Sequence, residues 1–146
     1  MSAMSDYLEN KVLDWLLRGQ VFAPPTPVFV ALLTAAPSDT GGGTEVTGGA
    51  YARVSSTPSL ANWSGSQAPA STVASTGTDG TIENNVTITF PTPTANWGVV
   101  SHFAIYDAAS AGNLLVWSPL TQAKTINNGD AAPSFAASAL TFQIDN

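Results

Sequence analysis

The chain has 146 residues, about the length of one domain, and is long enough to bury a core of its own. It has no cysteine, which excludes disulfides, thiolate metal sites and thiol catalysis. Only 10% of its residues are charged, and four basic against ten acidic side chains give a net charge of −6.

This charge balance also limits the partners. The four basic residues lie far apart in sequence, so they predict no basic stripe for phosphates and no direct nucleic-acid partner. No apolar run reaches the length of a bilayer span, so we expect no membrane partner. A low-charge polar surface suits lasting contact with neighbouring subunits, because a charge buried at an interface must be paired.

The N-terminal segment, residues 1–19, carries the strongest helix signal. Ser5 is a good N-cap, and Gly19 can take the left-handed conformation beyond the last turn. Apolar side chains recur at spacings of three and four, which predicts one apolar face: Leu8, Val12, Trp15 and Leu16. Either the rest of the chain or a partner subunit must cover that face.

Residues 20–146 read as a single β-sandwich domain. The prolines of "APPTP" end the helical segment, and the apolar run Val28–Thr34 predicts a strand buried on both faces. A Gly-rich turn leads to a short strand near Tyr51–Val54. A polar stretch at about 55–80 then loses periodicity and predicts a long loop or an arm lying on a neighbour, with contacts at Leu60 and Trp63.

The last third of the chain predicts a series of short strands: Asn85–Phe90, Val99–Asp107, Asn113–Trp117, one near Lys124–Ile126, and Leu140–Asp145. Alternation places one set of side chains in the core: Val86, Ile88 and Phe90, and later Leu140, Phe142 and Ile144. Asn128 and Gly129 form a tight-turn signal. The pattern predicts an all-β fold, a jelly-roll-like β-sandwich with one N-terminal α-helix.

Catalysis would have to use His102, the only histidine. Alternation places it beside Val100 and Ala104, on the face opposite Phe103 and Ile105. No nucleophile elbow of the G-x-S-x-G type is present. We therefore expect a structural role for His102, no enzymatic activity and no cofactor.

Two binding alternatives remain at this stage. Asp39 and Glu45 flank a triple glycine and could hold a calcium ion, but the EF-hand spacing is absent and we expect no metal. The four tryptophans either form a carbohydrate-binding platform or are buried in a core or interface: Trp15, Trp63, Trp97 and Trp117.

Three stretches of the chain, taken together, resemble a family of small tailed-bacteriophage virion proteins labelled as tail-fibre, capsid-fibre or head-decoration proteins. They are "VALLTAAPSDTGGGTEVTGGAYAR", "ITFPTPTANWGVVSHFAIYDAASAGNLLVWSPLT" and "KTINNGDA". The resemblance implies a structural subunit made in the host cytoplasm and located on the outer capsid surface of the virion. There it would bind the major capsid protein, bridge capsomers as a cement or decoration protein, and form a homo-oligomer, either a dimer or a trimer.

Two alternatives stand beside that function: a structural protein of the tail, tail fibre or baseplate, and a carbohydrate-binding module. In the structural interpretations, the candidate partner contacts are Leu8, Val12, Trp15, Leu16, Leu60 and Trp63.

Overall fold

The computed structural model describes residues 3–144. Helix α1 spans Asp6–Arg18, as the sequence predicts. The Ser5 hydroxyl accepts a hydrogen bond from the Leu8 amide at 3.2 Å, and Gly19 takes a left-handed conformation with φ of 67°. Both ends of the predicted helix are therefore confirmed, together with the capping that produces them.

The strands follow in chain order: β1 (Ala3–Met4), β2 (Val28–Ala35), β3 (Thr44–Glu45), β4 (Val54–Ser56), β5 (Thr81–Glu83), β6 (Ile88–Thr89), β7 (Gly98–Tyr106), β8 (Leu114–Ile126), β9 (Ser134–Phe135) and β10 (Thr141–Gln143). The main sheet has the order β1-β8-β7-β2-β3, and β4 also pairs with β2. Two short ladders, β5 with β10 and β6 with β9, lie outside it. All of these pairings are antiparallel.

Strand β2 is buried on both faces, as predicted. Val30 and Leu32 enter the main core, whereas Ala31 and Leu33 join a smaller cluster on the opposite face of the sheet. Such two-sided burial explains why the sequence of this strand is almost continuously apolar.

The two ladders and their flanking residues pack against one face of the main sheet. Phe90 and Leu140 are fully buried there, and the rings of Phe103 and Phe142 meet edge to face with centroids 5.5 Å apart. The all-β sandwich with an N-terminal helix is confirmed. Among the residues that the structure describes, no helix has the length and apolar character needed to cross a membrane.

The alternation predicted near two of the strands is wrong at one residue each. Val86 is 40% exposed and Ile144 is 77% exposed, although both were predicted to lie in the core. Near Val86 the cause is Asn84, whose buried side-chain amide donates to the backbone oxygens of Val86 and Ala136 at 2.8 and 2.7 Å. These side-chain hydrogen bonds take the place of backbone pairing between strands near Val86, so the strand is shortened to Ile88–Thr89.

Strands β7 and β8 are paired with an irregular register. Val100 pairs with Lys124 but His102 pairs with Pro119, so the register shifts between them. As a result Val100 lies in the main core with Phe103, and not beside His102 as simple alternation predicted. The two predicted strands near 113–117 and 124–126 are one strand, β8.

The polar stretch between β4 and β5 is an ordered loop. Its turns are held by its own side chains: the Thr76 amide donates to the Gln67 side-chain oxygen at 3.1 Å, and the Gly77 amide donates to the Ser66 hydroxyl at 3.1 Å. A Cβ on Gly77 would lie 2.0 Å from the backbone oxygen of Ser66, so only glycine fits there. Whether this loop also lies on a neighbouring subunit, as an arm would, stays a prediction.

Candidate assembly surface

Helix α1 is fixed to the sandwich at its first turn. The Ser5 amide donates to the Leu115 backbone oxygen at 2.9 Å, the Ser5 hydroxyl donates to the Leu114 backbone oxygen, and the Asp6 amide donates to the Asp39 backbone oxygen at 2.9 Å. Leu8 packs against the main core one turn later. The start of the helix is therefore held by both backbone hydrogen bonds and apolar packing.

The second half of the helix leaves its apolar side chains in solvent. Trp15 is 59% exposed and Leu17 is 74% exposed. We call the exposed set the α1 apolar surface: Leu13, Trp15, Leu16, Leu17 and Val21. An exposed apolar patch of this kind is a feature of protein interfaces.

The six candidate contact residues fall into two groups. Trp15, Leu16 and Leu60 are exposed, and Leu60 lies apart from the helix in the loop between β4 and β5. Leu8, Val12 and Trp63 are partly buried, and the Trp63 ring lies 5.8 Å from that of Phe142. In the isolated chain, therefore, only three of the six candidate contact residues are exposed to a partner.

Three members of the α1 apolar surface were missed by sequence reasoning: Leu13, Leu17 and Val21. Leu13 and Leu17 are four residues apart and form a second apolar row on the helix. The sandwich can cover only one side of the helix, so a second apolar row has to stay exposed. The spacing of Leu13 and Leu17 in the sequence could therefore have predicted this exposed surface.

An apolar groove opens beside the start of α1. Its cavity has a volume of about 300 Å³. Its lining comes from the main sheet, including β1, and from helix α1, the loop after β4 and the β5–β10 ladder with the residues beside it. We call it the N-terminal groove; it is lined by Ala3, Met4, Leu8, Val28, Pro58, Trp63, Gly80, Ile82, Ile105, Val116, Phe142, Gln143 and Ile144. Leu8 belongs both to the groove and to the apolar stripe of α1.

A charged cluster lies at the gap between β3 and β4. Arg53 donates to both carboxylate oxygens of Glu45, at 2.9 and 2.8 Å, and the Tyr51 hydroxyl donates to one of them at 2.8 Å. The Tyr51 oxygen also accepts a hydrogen bond from the Leu32 amide at 2.9 Å, at a position of β2 that pairs with neither β3 nor β4. Both carboxylate oxygens of Glu45 are therefore already bound by protein side chains.

The electrostatics of the cluster follow from burial and pairing. Burial, together with the charge of Glu45, raises the pKa of Tyr51 far above its ordinary value. Burial opposes the charge of Arg53, but the hydrogen bond and the charge of Glu45 outweigh it and raise the pKa of Arg53. Tyr51 thus stays a neutral donor and Arg53 stays charged.

Arg53 also holds the tip of the β7–β8 hairpin. Its guanidinium donates to the backbone oxygens of Ala108 and Ala111 at 2.7 and 2.9 Å and lies 3.7 Å from the centre of the Tyr106 ring. Asp107 closes the same hairpin, because its carboxylate accepts the Asn113 amide at 2.6 Å. These charged groups have structural partners.

His102 has structural partners too. Its Nδ1 lies 2.8 Å from the Ser101 hydroxyl, and its ring lies 5.8 Å from that of Trp117. The Ser101 hydroxyl in turn lies 3.2 Å from the Thr34 backbone oxygen. Within residues 3–144, no group of three or more His, Cys, Asp or Glu side chains is arranged to bind a metal.

The tryptophans do not form a shared platform. Trp97 is buried and donates its indole N–H to the Gly49 backbone oxygen at 2.9 Å. Trp63 and Trp117 are partly buried, on the loop after β4 and on β8. Only Trp15 is largely exposed among the four, and it belongs to the α1 apolar surface.

The chain thus combines an all-β sandwich with a helix that exposes apolar side chains, and such exposed patches are a feature of proteins that contact other chains. A comparison with protein families gives its particular membership: residues 3–143 match the family described as podophage GP4 fiber I protein gp80. The match covers nearly the whole chain, so the chain belongs to this family and is a structural protein of the bacteriophage virion. No curated protein matches the chain.

Proposed function

We propose that the protein is a subunit of a phage fibre and that it joins its neighbour in the virion through the α1 apolar surface. The exposure of five large apolar side chains between residues 13 and 21 carries this proposal. The description of the family as a fibre protein supports the fibre over other parts of the particle.

The size of the surface is consistent with assembly through more than one contact. Fully burying a large apolar side chain contributes roughly 1.5–3 kcal/mol, and these five are on average about two-thirds exposed, so burying their exposed parts contributes on the order of 5–10 kcal/mol. Association itself costs about 4–15 kcal/mol in lost freedom of motion. A single α1 contact is therefore weak, and several contacts in one assembly would make it durable.

The role we propose is purely structural and uses no cofactor. His102, Asp107 and Glu45 are the groups from which catalysis or metal binding could start, and each is engaged in a contact that shapes the fold. The low charge of the chain fits protein partners better than nucleic acid.

A second candidate is a capsid cement or decoration protein that binds the major capsid protein on the outer surface and bridges capsomers. The observation that favours it is that α1 is fixed to the sandwich at its first turn and exposes apolar side chains beyond that turn, where another protein can contact them. The same α1 apolar surface would make the contact, so the two candidates differ in location and in the partner.

Localisation and incorporation test the proposal together. Phage carrying Leu16→Glu should incorporate much less of the protein, whereas Val73→Glu, at another exposed apolar position in the loop after β4, should incorporate normally. Immunogold labelling of wild-type particles should mark the fibres. Labelling over the whole head would support the cement alternative, and normal incorporation of Leu16→Glu would refute docking through α1.

A further inference from the structure

We infer that a polar pocket beside the start of α1 accepts an arginine side chain from a different protein of the virion. The inference rests on the proposed assembly role and adds to it a second contact and the chemistry of the partner. The pocket lies where the first turn of α1, the Gly-rich loop between β2 and β3, and the tip of the β7–β8 hairpin meet. We call it the polar pocket; its volume is about 460 Å³, and its lining includes Asp6, Asp39, Gly42, Tyr106 and Asn113.

The first observation is a hydroxyl group that makes no hydrogen bond although its residue is largely buried. Tyr106 lines the polar pocket and is only 9% exposed, yet no hydrogen bond within residues 3–144 uses its hydroxyl. Its backbone is paired in the main sheet, and the Arg53 guanidinium lies 3.7 Å from the centre of its ring. A buried polar group without a partner costs free energy, so the hydroxyl is a group that a ligand in the pocket can satisfy.

The second observation is negative charge that the chain itself does not neutralise. Asp6 and Asp39 line the same pocket, and within the described residues neither carboxylate accepts a hydrogen bond or joins an ion pair. Asn113 donates its side-chain N–H to Asp107 at 2.7 Å, which leaves its amide oxygen as a further acceptor. This set of acceptors requires a ligand that is positively charged and rich in hydrogen-bond donors.

An arginine side chain fits these acceptors better than a metal ion or a lysine. The guanidinium group presents a planar fork of N–H donors that can reach carboxylate and neutral oxygens at once, whereas a lysine ammonium is a compact point charge with fewer donors. A cation such as calcium requires more oxygen ligands, and residues 3–144 contain no group of three or more His, Cys, Asp or Glu side chains placed to hold one. The volume of the pocket is typical of sites that bind a group of this size.

The charges of the chain indicate that the arginine belongs to a different protein. Both arginines of this chain are already paired, Arg53 with Glu45 at 2.8 Å and Arg18 with Asp14 at 2.9 Å. The net charge of −6 makes copies of the chain repel one another and favours a positively charged partner. The α1 apolar surface begins about two helical turns, or roughly 10 Å, beyond Asp6, so one partner can contact both sites.

An arginine probe tests the pocket in solution. N-acetyl-L-arginine amide is titrated into the isotope-labelled full chain, and the backbone amide of Gly42 reports binding by NMR. We expect saturable shifts, and none with N-acetyl-L-citrulline amide, which has nearly the same shape without the charge. Asp6→Asn with Asp39→Asn should weaken binding roughly tenfold, because the charge-assisted hydrogen bonds are lost. The matched control, Glu9→Gln with Asp79→Asn, removes the same charge outside the pocket and should leave the affinity unchanged.

The variant Tyr106→Phe separates binding from a structural role of the tyrosine. The ring still lies over Arg53 and no hydrogen bond of the chain is lost, so the free energy of unfolding should stay the same while the arginine probe binds several-fold more weakly. No saturable shift in the wild-type chain, or equal binding by the double Asp variant and its control, would overturn the inference. Self-association of the chain alone that Arg18→Gln abolishes would show that a second copy fills the pocket, and would overturn the assignment to a different protein. Failure of the fibre assignment would appear instead as missing label on the fibres, whatever the result in solution.

Discussion

Replacing Arg53 by Ala is the strongest single test of how the sandwich is held together. The side chain is 7% exposed, makes two hydrogen bonds to Glu45 and two to the tip of the β7–β8 hairpin, and covers the Tyr106 ring. Removing it leaves the Glu45 carboxylate with the Tyr51 hydroxyl but without its counter-charge. Breaking a buried ion pair costs about 3–5 kcal/mol. Because the Glu45 side chain is 24% exposed, we expect a loss in the free energy of unfolding at the lower end of that range.

Urea unfolding followed by tryptophan fluorescence measures this loss. The matched control is Arg18→Ala, because Arg18 also pairs with an acid at 2.9 Å but is 74% exposed; it should cost no more than about 0.5 kcal/mol. The double variant Arg53→Met with Glu45→Gln should recover part of the stability, since the unpaired charge is gone. A cost for Arg53→Ala as small as that for Arg18→Ala would refute the role assigned to the cluster.

Three further predictions concern single residues. Gly112→Ala should destabilise the protein more than Gly129→Ala in the same unfolding assay. Both glycines have positive φ, but a Cβ at Gly112 would lie 2.5 Å from a carboxylate oxygen, whereas one at Gly129 meets nothing within 4 Å. Equal losses of stability would refute the clash at Gly112. Leu140→Ala should cost about 2–5 kcal/mol and Leu17→Ala close to nothing, because the first is fully buried and the second is 74% exposed. Stability should fall above about pH 10, where tyrosines ionise in the unfolded chain, because the folded-state pKa of Tyr51 is raised; Tyr51→Phe should make that fall shallower, and an unchanged slope would contradict the assignment.

Local signals in the sequence were enough to locate α1 and β2. The cap residues Ser5 and Gly19 mark the helix ends by their own chemistry, and a strand buried on both faces needs a continuous apolar run such as Val28–Thr34. In both cases the residues that determine the structure are neighbours in the chain. Such elements can be predicted without knowing what packs on them.

Elements that depend on distant partners were not predictable in the same way. The side chain of Asn84 forms hydrogen bonds with the backbone oxygen of Ala136 and the backbone amide of Leu140, which lie more than fifty residues away in sequence. These bonds shorten β6. The position of Val100 depends on a register shift against β8. Short alternating runs predict a strand but contain no information about these contacts.

The candidate assembly surface was likewise predictable only where it depends on residues that are close together in the chain. The stripe of α1 was predicted from its spacing, but how much of it the sandwich covers depends on where the helix leaves the sheet, after Leu8. The N-terminal groove joins parts of the chain as far apart as Met4 and Phe142, so no local pattern could reveal it. The cluster of Glu45, Tyr51 and Arg53 is close in sequence, yet its link to the hairpin tip is long-range.

The most direct test of the central claim is cryo-electron microscopy of virions that contain this protein, at a resolution that shows side chains. We expect the sandwich to occupy a fibre of the particle and Trp15 and Leu16 to be buried against a neighbouring protein chain. Particles in which the protein is present but the α1 apolar surface faces solvent in every copy would contradict it.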